Sequence, residues 1–556
     1  MASIAPYTSV LGHRHAMHLL RRTTFNLSKS IIDTCALSTA EDALEDLFAV
    51  NSLNLPEPID VQTLEHFINL GIEPTSNTSN QKSYVLSWWM EEALNDSTIA
   101  HKLEFFLHSI FITNNSIGQA RETYDYLNLF RLSSTRYTNG SFEMDSYKSL
   151  ALKMITDNAM LRYLNGRENT STSPNENFAR EFFELFTIGK GPQIGVGNYT
   201  TYTEDDIVEG AKLLTGWINR TRILGAGGDP NYTDPDTQIQ RGDPQYSKHD
   251  TTDKHFSSAF NSRIITGAVD EEDMWRELSD YVNMIFDSDA TAINIAKKIY
   301  RYFVSSKIST EIETDIIAPL ADTLINNDYK ISLAIKQLLK SEHFYDMDDS
   351  NSTDEIIGSV LKSPFEMLTQ TMSFFEIERP NYLTDADDHY NRWYRNTVRY
   401  VITSMAGMPI FYPDSVAGYP AYYQEPGYSR NWFNGATLIA RYKQPEILLT
   451  GNRILLSGNN GGVQLDFVKY VKKSLVFSDP YDSQALVDDL IYYLFPEPPL
   501  ADRVQYFLDI FLDGLTQINW WDEWNKYILT GDDSNVKLPL ETLFKAVLTS
   551  QEYGLK

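Results

Sequence analysis

The chain has 556 residues, of which 42% are hydrophobic, and a formal net charge of -28 at pH 7. This length exceeds what one ordinary core supports, so we predict two or three lobes, and the hydrophobic share excludes an intrinsically disordered chain. The acidity excludes a nucleic-acid-binding protein, because no basic stripe is present to neutralise phosphates.

Cysteine content and hydropathy exclude further kinds of site and segment. The single cysteine, Cys35, excludes an intrachain disulfide and a zinc site built on cysteines. No segment approaches the roughly 20 apolar residues of a membrane-spanning helix, so we predict no such span. The first residues lack the basic start and apolar run of a signal peptide. The chain is therefore either cytoplasmic or a mature protein whose signal has been removed.

Helical periodicity dominates residues 1–165, which we predict to form an N-terminal helical lobe. The predicted helices cover residues 13–22, 39–50, 82–94, 97–112, 124–131 and 147–164.

Residues 166–345 form the predicted central helical region. It begins with a helix near 176–189, and a second helix opens at Thr203, a good N-cap followed by three acids. Residues 219–260 then read as a long irregular loop, and loops of this length are usually functional or disordered. Further helices are predicted at 272–286, 290–303, 311–326 and 331–339.

Residues 346–556 form the predicted C-terminal helical lobe. An irregular, aromatic-rich loop at 407–432 interrupts it. Few segments show the two-residue alternation of strands, so the predicted fold class is mainly α, multi-helical, in two or three lobes with long irregular aromatic-rich loops. The predicted helices cover residues 354–375, 435–449, 466–475, 483–494, 501–512 and 538–548.

Several segments together resemble one known family. In chain order they are LGHRHAMHLLRRTTF, ENFAREFFELFTIG, YTEDDIVEGAKLLTGW, QYSKHDTTDK, ATAINIAKKIYRYFV, KSPFEML, MPIFYPDSVAGYP and LTSQEYGLK. Their order and spread over nearly the whole chain make the sequence similar to the bacterial domain of unknown function (DUF) 1800 family. The resemblance implies a largely helical, secreted or cell-envelope protein without an established activity. It also implies a sulfatase-like DUF 1501 protein as a possible partner.

The chain is a divergent member by this resemblance. An early family run with two histidines keeps His108 but has Ile110 at the second position. A family His-Pro pair is replaced by Ser288 and Asp289. If those histidines serve chemistry elsewhere in the family, this chain lacks it.

The first candidate site lies on the helix near 176–189, which we expect to be buried. Glu176, Asn177, Arg180, Glu181 and Glu184 share one stripe of it at i, i+3 and i+4 spacing. The two glutamates nearest its end could act as acid and base or bind a divalent cation. The alternative is structural: Arg180 and Asn177 pair with these carboxylates and hold adjacent helices together.

The second candidate site lies in the long loop. His249 with Asp250 could transfer protons or supply metal ligands, and Lys254 could bind beside them. Neighbouring residues of an extended segment point in opposite directions, so both can face one substrate only where the backbone turns. Anchoring of the loop by hydrogen bonds is the alternative.

The third candidate site is the aromatic loop 407–432. Tyr412, Tyr419 and Trp432 could stack on sugar rings or form a partner interface. The alternative is a loop packed through its own aromatic side chains.

These patterns lead to two functional hypotheses. The first is an extracellular, periplasmic or cell-envelope protein that binds or assembles with an envelope partner or a surface glycan. The second is a hydrolase that uses Glu181 or Glu184 with His249, with a divalent cation in one version of this hypothesis. Any site should lie where residues 176–189, 245–254 and 408–420 converge.

Overall fold

The protein is described by a computed structural model that covers residues 2–49, 57–61, 63–66, 78–114, 120–134, 146–219, 233–237, 239–348, 355–451 and 461–556. It is mainly helical, as predicted, with few and short strands. Part of the long loop, residues 220–232 and 238, lies outside the described residues.

The helices follow one another along the whole described chain. They are α1 Gly12–Thr23, α2 Lys29–Ala36, α3 Ala40–Phe48, α4 Thr78–Asn95, α5 Ala100–His108, α6 Ala120–Ser134, α7 Tyr147–Ile155, α8 Asn158–Tyr163, α9 Glu176–Glu181, α10 Glu204–Leu213, α11 Glu271–Phe286, α12 Asp289–Phe303, α13 Thr310–Ile312, α14 Ala318–Asn326, α15 Ile331–Leu339, α16 Pro364–Phe374, α17 Ala386–Asp388, α18 Pro420–Tyr423, α19 Gly435–Thr450, α20 Phe467–Lys473, α21 Ser483–Leu494, α22 Ala501–Leu512, α23 Gln517–Thr530 and α24 Lys537–Leu548.

Wider helical turns and short antiparallel ladders complete the described structure. π-Helical turns occupy Phe182–Phe186, Glu313–Ile317, His389–Val398 and Tyr400–Met405. The strands are β1 Gln193–Gly195, β2 Asn198–Tyr199, β3 Trp217–Ile218, β4 Asp243–Pro244, β5 Lys254–His255 and β6 Ile264–Ile265, paired β1–β2, β3–β4 and β5–β6.

Side-chain caps explain where several helices begin. Thr203 caps α10 in a reciprocal capping box with Asp206, as its sequence predicts. Ser363 and Glu366 form the same motif at α16, with Pro364 in the first turn. The helix predicted over 354–375 is therefore too long, because this cap starts it at Pro364.

The buried apolar side chains form one continuous cluster that extends from Leu11 to Tyr553. Helix α1 contributes to this continuity, since its Arg21 and Arg22 donate to main-chain oxygens of residues more than 300 positions later. An isolated bridge between Leu361 and Leu555 brings the closing segment to the start of α16. The division into lobes at 165 and 345 stays a prediction.

A helix that crosses a bilayer needs about 20 consecutive apolar residues. None of the described helices is both long enough and apolar enough to cross a membrane.

Candidate functional site

The first predicted site lies on a helix with one buried face only. Glu176 and Asn177 of α9 are exposed, and Arg180, Glu181 and Glu184 are half-buried. On the opposite side of this segment, Phe178, Phe182 and Phe186 are buried in the core. The expectation of a buried polar stripe is therefore wrong, because the aromatic side chains take the core-facing side of the helix.

Arg180 connects α9 to the next helix through a carboxylate that the sequence interpretation did not name. Its guanidinium donates to both carboxylate oxygens of Glu204 at 2.8 Å and to Glu176 at 3.0 Å. The predicted structural role is thus retained with different partners. The expected pairing of Arg180 with Glu181 and Glu184 is wrong, since Arg180 binds the first turn of α10 instead.

Glu181 and Glu184 differ in their surroundings. Burial, and then the neighbouring charge of Glu184, raises the pKa of Glu181 above its ordinary value. Glu184 forms an ion pair with the exposed Lys190. A half-buried carboxyl group with a raised pKa can hold a proton and release it, which is the property required of a general acid.

The loop that carries His249 is fixed against the end of α10 by the main chain. Gly216 has a φ of +80°, and a side chain there would lie 2.8 Å from the Gln245 carbonyl oxygen and 3.0 Å from the His249 nitrogen. The carbonyl of Lys248 also accepts from the Ser171 amide at 2.8 Å. Glycine at 216 thus allows the loop to approach closely.

His249 is buried and faces an acceptor on each side of its ring. Nδ1 lies 2.8 Å from the Thr215 carbonyl oxygen, and Nε2 lies 2.6 Å from Oε2 of Glu277. Both ring nitrogens can donate to these acceptors only when the imidazole carries both protons. In this arrangement no ring nitrogen of His249 is available to take a proton from a substrate.

Lys254 and Asp250 complete the ionic cluster around His249. The Lys254 ammonium lies 2.6 Å from Oε1 of Glu277 and 3.8 Å from Oδ1 of Asp250. Burial opposes ionisation of Asp250, but hydrogen bonds from Thr252 hold its pKa below the ordinary value. We call His249, Asp250, Lys254 and Glu277 the His249 cluster, in which two basic side chains meet two acidic ones.

Glu277 is the member of this cluster that sequence reasoning missed. It is fully buried in α11, and its Oε2 also accepts from the Ala268 amide at 3.3 Å. The available signal was its position in the helix, because Glu277 falls on the same stripe as Met274 and Tyr281, which are buried apolar side chains. A lone carboxylate on an apolar stripe indicates a buried partner of opposite charge.

A second carboxylate, Asp206, fixes the following part of the loop. Besides capping α10, it accepts from the amide and the hydroxyl of Ser257 at 2.7 Å each. Asp206 is fully buried. These bonds support the interpretation that polar side chains in this region anchor the loop.

The aromatic loop 407–432 packs inward. Tyr419 and Trp432 are buried, and the Tyr419 ring lies 6.1 Å from Phe105 of α5 and 6.0 Å from Trp432. Tyr412 is only half-buried among its neighbours. The alternative of a self-packed loop fits this arrangement, which offers no exposed platform of Tyr419 and Trp432 for a sugar ring.

His108 belongs to the same aromatic region. Its Nδ1 lies 2.8 Å from the Tyr126 hydroxyl oxygen, and its ring lies 4.7 Å from that of Phe411. Burial lowers the pKa of His108 to about 3. Ile110, at the second histidine position of the resemblance, is buried as well.

The three predicted segments meet only in part. Arg180 binds Glu204 in the first turn of α10, whereas His249 binds Thr215 just beyond its last turn. A ten-residue helix rises about 15 Å, so these contacts lie at its opposite ends. The third segment packs on α5 through Tyr419 and on the residues after this helix, where a side chain at Gly418 would lie 3.0 Å from Ile112. The described contacts therefore do not bring the Glu181 region and His249 into one site.

A small pocket lies beside the described part of the long loop. It is lined by residues that include Lys153, Asp157, Asp234 and Arg241. Lys153 already pairs with Asp234 at 2.9 Å, and burial raises the pKa of Asp157 to about 7. Lys153 and Arg241 are therefore both directed at Asp234, while Asp157 caps α8.

The described side chains offer neither a metal-binding group nor a reactive thiol. Across the described ranges, no three His, Cys, Asp or Glu side chains come together as a potential metal-binding group. The predicted divalent cation thus has no ligand set in this part of the chain. Cys35 is buried, and burial raises the pKa of its thiol to about 12.

Comparison with known proteins gives one family. The family described as "Protein of unknown function (DUF1800)" matches residues 18–555. No curated protein and no solved structure matches the chain.

Proposed function

The chain belongs to the DUF1800 family of proteins of unknown function, and we propose that it is a non-catalytic binding or assembly protein of the cell envelope. The proposal rests on one surface, formed by Leu515 and by Ile518 and Trp521 of α23, which we call the α23 surface. These side chains are 55%, 71% and 47% exposed. Exposed large apolar side chains that are neighbours on one helix are typical of a protein-binding surface.

Helix α23 carries two apolar stripes, and the core uses one of them. Trp520, Trp524 and Tyr527 are buried at i, i+4 and i+7 spacing. Ile518 and Trp521, at i and i+3, are adjacent on the other side of the helix. A surface helix needs one apolar stripe to pack on its own protein, so the second stripe is available to a partner.

The charge around this surface favours one kind of partner. Residues 501–530 contain five acidic and two basic residues. Asp509, Asp513 and Asp522 in this segment are exposed. The complementary surface would therefore have an apolar centre and a basic rim. We propose an envelope protein with such a surface; a sulfatase-like DUF 1501 protein and a surface glycan are the candidates that the test separates.

The state of His249 supports a binding role over a catalytic one. Both ring nitrogens face protein acceptors, and the side chain is buried. A general base must reach the proton that it removes. The His249 cluster offers no such access, so its side chains serve better as a scaffold for the loop.

The test is capture of a partner through the α23 surface. A photo-crosslinking side chain at position 518 should yield one discrete protein adduct in native envelope fractions. The double variant Ile518→Ser/Trp521→Ala should lower affinity for that protein about tenfold or more, because central apolar anchors dominate binding energy.

The matched control is Leu37→Ser, which removes an apolar side chain that is 82% exposed elsewhere on the surface. It should leave capture unchanged. Equal capture by the double variant, or adducts in the cytosolic fraction alone, would refute the proposal. A carbohydrate adduct in place of a protein would identify the glycan as the partner.

A hydrolase is the second candidate, and the raised pKa of Glu181 beside Glu184 is the observation that favours it. The proposal predicts turnover of an ester, glycoside or sulfate ester that falls at least about a hundredfold in Glu181→Gln. Glu176→Gln, an exposed acid on the same helix, should keep full activity. Equal rates for the two variants would remove this candidate.

A further inference from the structure

A second ionic cluster lies far from the His249 cluster, at the start of α16. Oε1 of Glu366 accepts from the ammonium groups of both Lys102 and Lys556. Oε2 accepts from the Ser363 amide at 2.8 Å in the capping box. All three charged side chains are buried, so both oxygens of this carboxylate are used by partners on three separate parts of the chain.

Two arginines of α1 lie next to this ion pair and use only part of their donors. Nη2 of Arg21 donates to the Leu494 carbonyl at 2.8 Å, and Nη2 of Arg22 donates to the main-chain oxygen of Lys556 at 2.9 Å. In both guanidinium groups Nε and Nη1 are buried without a hydrogen-bond partner among the described residues. Each side chain is 1% exposed, so bulk water does not reach these four nitrogens.

Arg441 of α19 and Lys362 add two more basic side chains, and burial lowers the pKa of Lys362 well below its ordinary value. Nη2 of Arg441 donates to the Lys362 carbonyl at 2.6 Å, while its Nε is buried without a partner in the described part of the chain. The amino group of Lys362 lies 4.1 Å from the centre of the Tyr553 ring. The charges of Arg21, Glu366, Lys556 and Arg441 all act on Lys362, which places these groups in one electrostatic environment.

The charges of this cluster do not balance. We call its seven members the Glu366 cluster: Arg21, Arg22, Lys102, Lys362, Glu366, Arg441 and Lys556. Six of these side chains are basic and one is acidic; the charge of Glu497 also acts on Arg21, and that of Asp346 acts on Arg22. Burial lowers the pKa of Arg21, Arg22 and Arg441 to about 10, so all three stay cationic at pH 7.

Buried cations without counterions are strongly unfavourable, and so are buried donors without acceptors. Water can accept from unpartnered N–H groups, but it does not compensate their charge. A small oxyanion does both, because its oxygens accept several N–H bonds and guanidinium groups bind phosphate and sulfate with matching geometry.

We propose that the Glu366 cluster encloses a tetrahedral oxyanion, phosphate or sulfate, held by the unpartnered N–H groups of Arg21, Arg22 and Arg441 together with the amino group of Lys362. The site is separate from the α23 surface and does not depend on the proposed function. Since its ligands are buried, the ion enters when the chain folds and exchanges slowly afterwards. It is a structural ligand that joins α1, α19 and the start of α16.

The first test uses the wild-type protein without any variant. After extensive desalting in chloride buffer, native mass spectrometry should show one retained oxyanion per chain. Ion chromatography of the denatured sample should then identify it as phosphate or sulfate. Refolding from denaturant in phosphate or sulfate should raise the melting temperature by about 2–5 °C over refolding in chloride of equal ionic strength.

The variants Arg21→Gln and Arg441→Gln should lose the retained ion and the response to phosphate or sulfate. Arg180→Gln is the control, because it removes a half-exposed guanidinium that has carboxylate partners; its oxyanion content should match the wild type. Wild-type protein without a bound oxyanion, and with equal melting temperatures in all three salts, would overturn the proposal whether or not the variants fold.

Discussion

The two buried ionic clusters of this protein differ in how their buried charges are compensated. In the His249 cluster two basic side chains meet two acidic ones, and the ring nitrogens of the histidine face protein acceptors. In the Glu366 cluster six basic side chains surround one carboxylate, and five guanidinium nitrogens lack partners within the ranges that the structure describes. Burial of charge therefore does not by itself identify a ligand site. An excess of buried charge of one sign, together with N–H donors that have no acceptor, indicates one.

Among the substitutions that distinguish the two clusters, we expect Glu366→Gln to cause the largest loss of stability. This change removes the carboxylate from a set of buried cations, so we expect the free energy of unfolding to fall by about 4–5 kcal/mol. Urea denaturation of the purified variant measures it. Glu176→Gln, an exposed acid, should change stability by less than about 0.5 kcal/mol. A comparable loss of unfolding free energy in both variants would show that the buried carboxylate of Glu366 contributes no more to stability than an exposed one.

The balanced cluster should tolerate paired removal better than single removal. Glu277→Gln leaves Lys254 and His249 facing an amide, and we expect a loss of about 3 kcal/mol. Adding Lys254→Met to this variant removes one of the uncompensated charges. A double-mutant cycle should then give a coupling free energy of about 1–3 kcal/mol between the two positions. Strict additivity would contradict the ion pair that joins them.

The unbalanced cluster should also respond to pH. Burial lowers the pKa of Lys556 to about 7, against the opposing charge of Glu366. Below pH 7 the lysine is charged in both the folded and the unfolded chain, and its desolvation penalty is present. As the pH rises above 7, the folded form loses the proton while the unfolded form keeps it, so the penalty fades.

Relative to Lys556→Met, the wild type should therefore gain about 2 kcal/mol of stability between pH 7 and pH 9. Urea titrations of both proteins at the two pH values provide the measurement. Lys190→Met, which removes an exposed ammonium group, serves as the control for loss of a surface charge. A difference that is constant with pH, or that falls, would contradict the lowered pKa.

The smallest effect is expected at the half-exposed ion pair between α9 and α10. Arg180→Ala removes bonds to Glu204 and Glu176 that water can replace, so the loss should be about 0.5–1 kcal/mol. Thermal denaturation resolves it against the wild type. A loss as large as that of Glu277→Gln would mean that solvent exposure does not separate this pair from the buried clusters.

Local patterns in the sequence predicted much of the helical structure. The predicted helices 331–339, 483–494 and 501–512 coincide with α15, α21 and α22. Helix α23 was missed because its aromatic residues surround the helix: Trp520 is buried and its neighbour Trp521 is exposed. Adjacent side chains of similar polarity hide the periodicity on which such predictions depend.

The ionic clusters were beyond prediction for a different reason. The sequence placed His249 and Lys254 in one polar loop, but their partner Glu277 comes from α11. Glu366 is further still from its partners, 264 positions from Lys102 and 190 from Lys556. No periodicity or spacing reports pairings over such distances, so charge balance becomes visible only when the chain is folded.

The contact between Arg22 and the main chain of Lys556 joins residues 534 positions apart. Synthesis proceeds at about 5–20 residues per second, so Arg22 is made about 30–100 s before its partner. Throughout that time α1 lacks its contact with Lys556, and the guanidinium group of Arg22 is open to small anions. Residues 553–556 would then close over whatever ion has gathered there, which makes the composition of the surrounding solution part of how this protein matures.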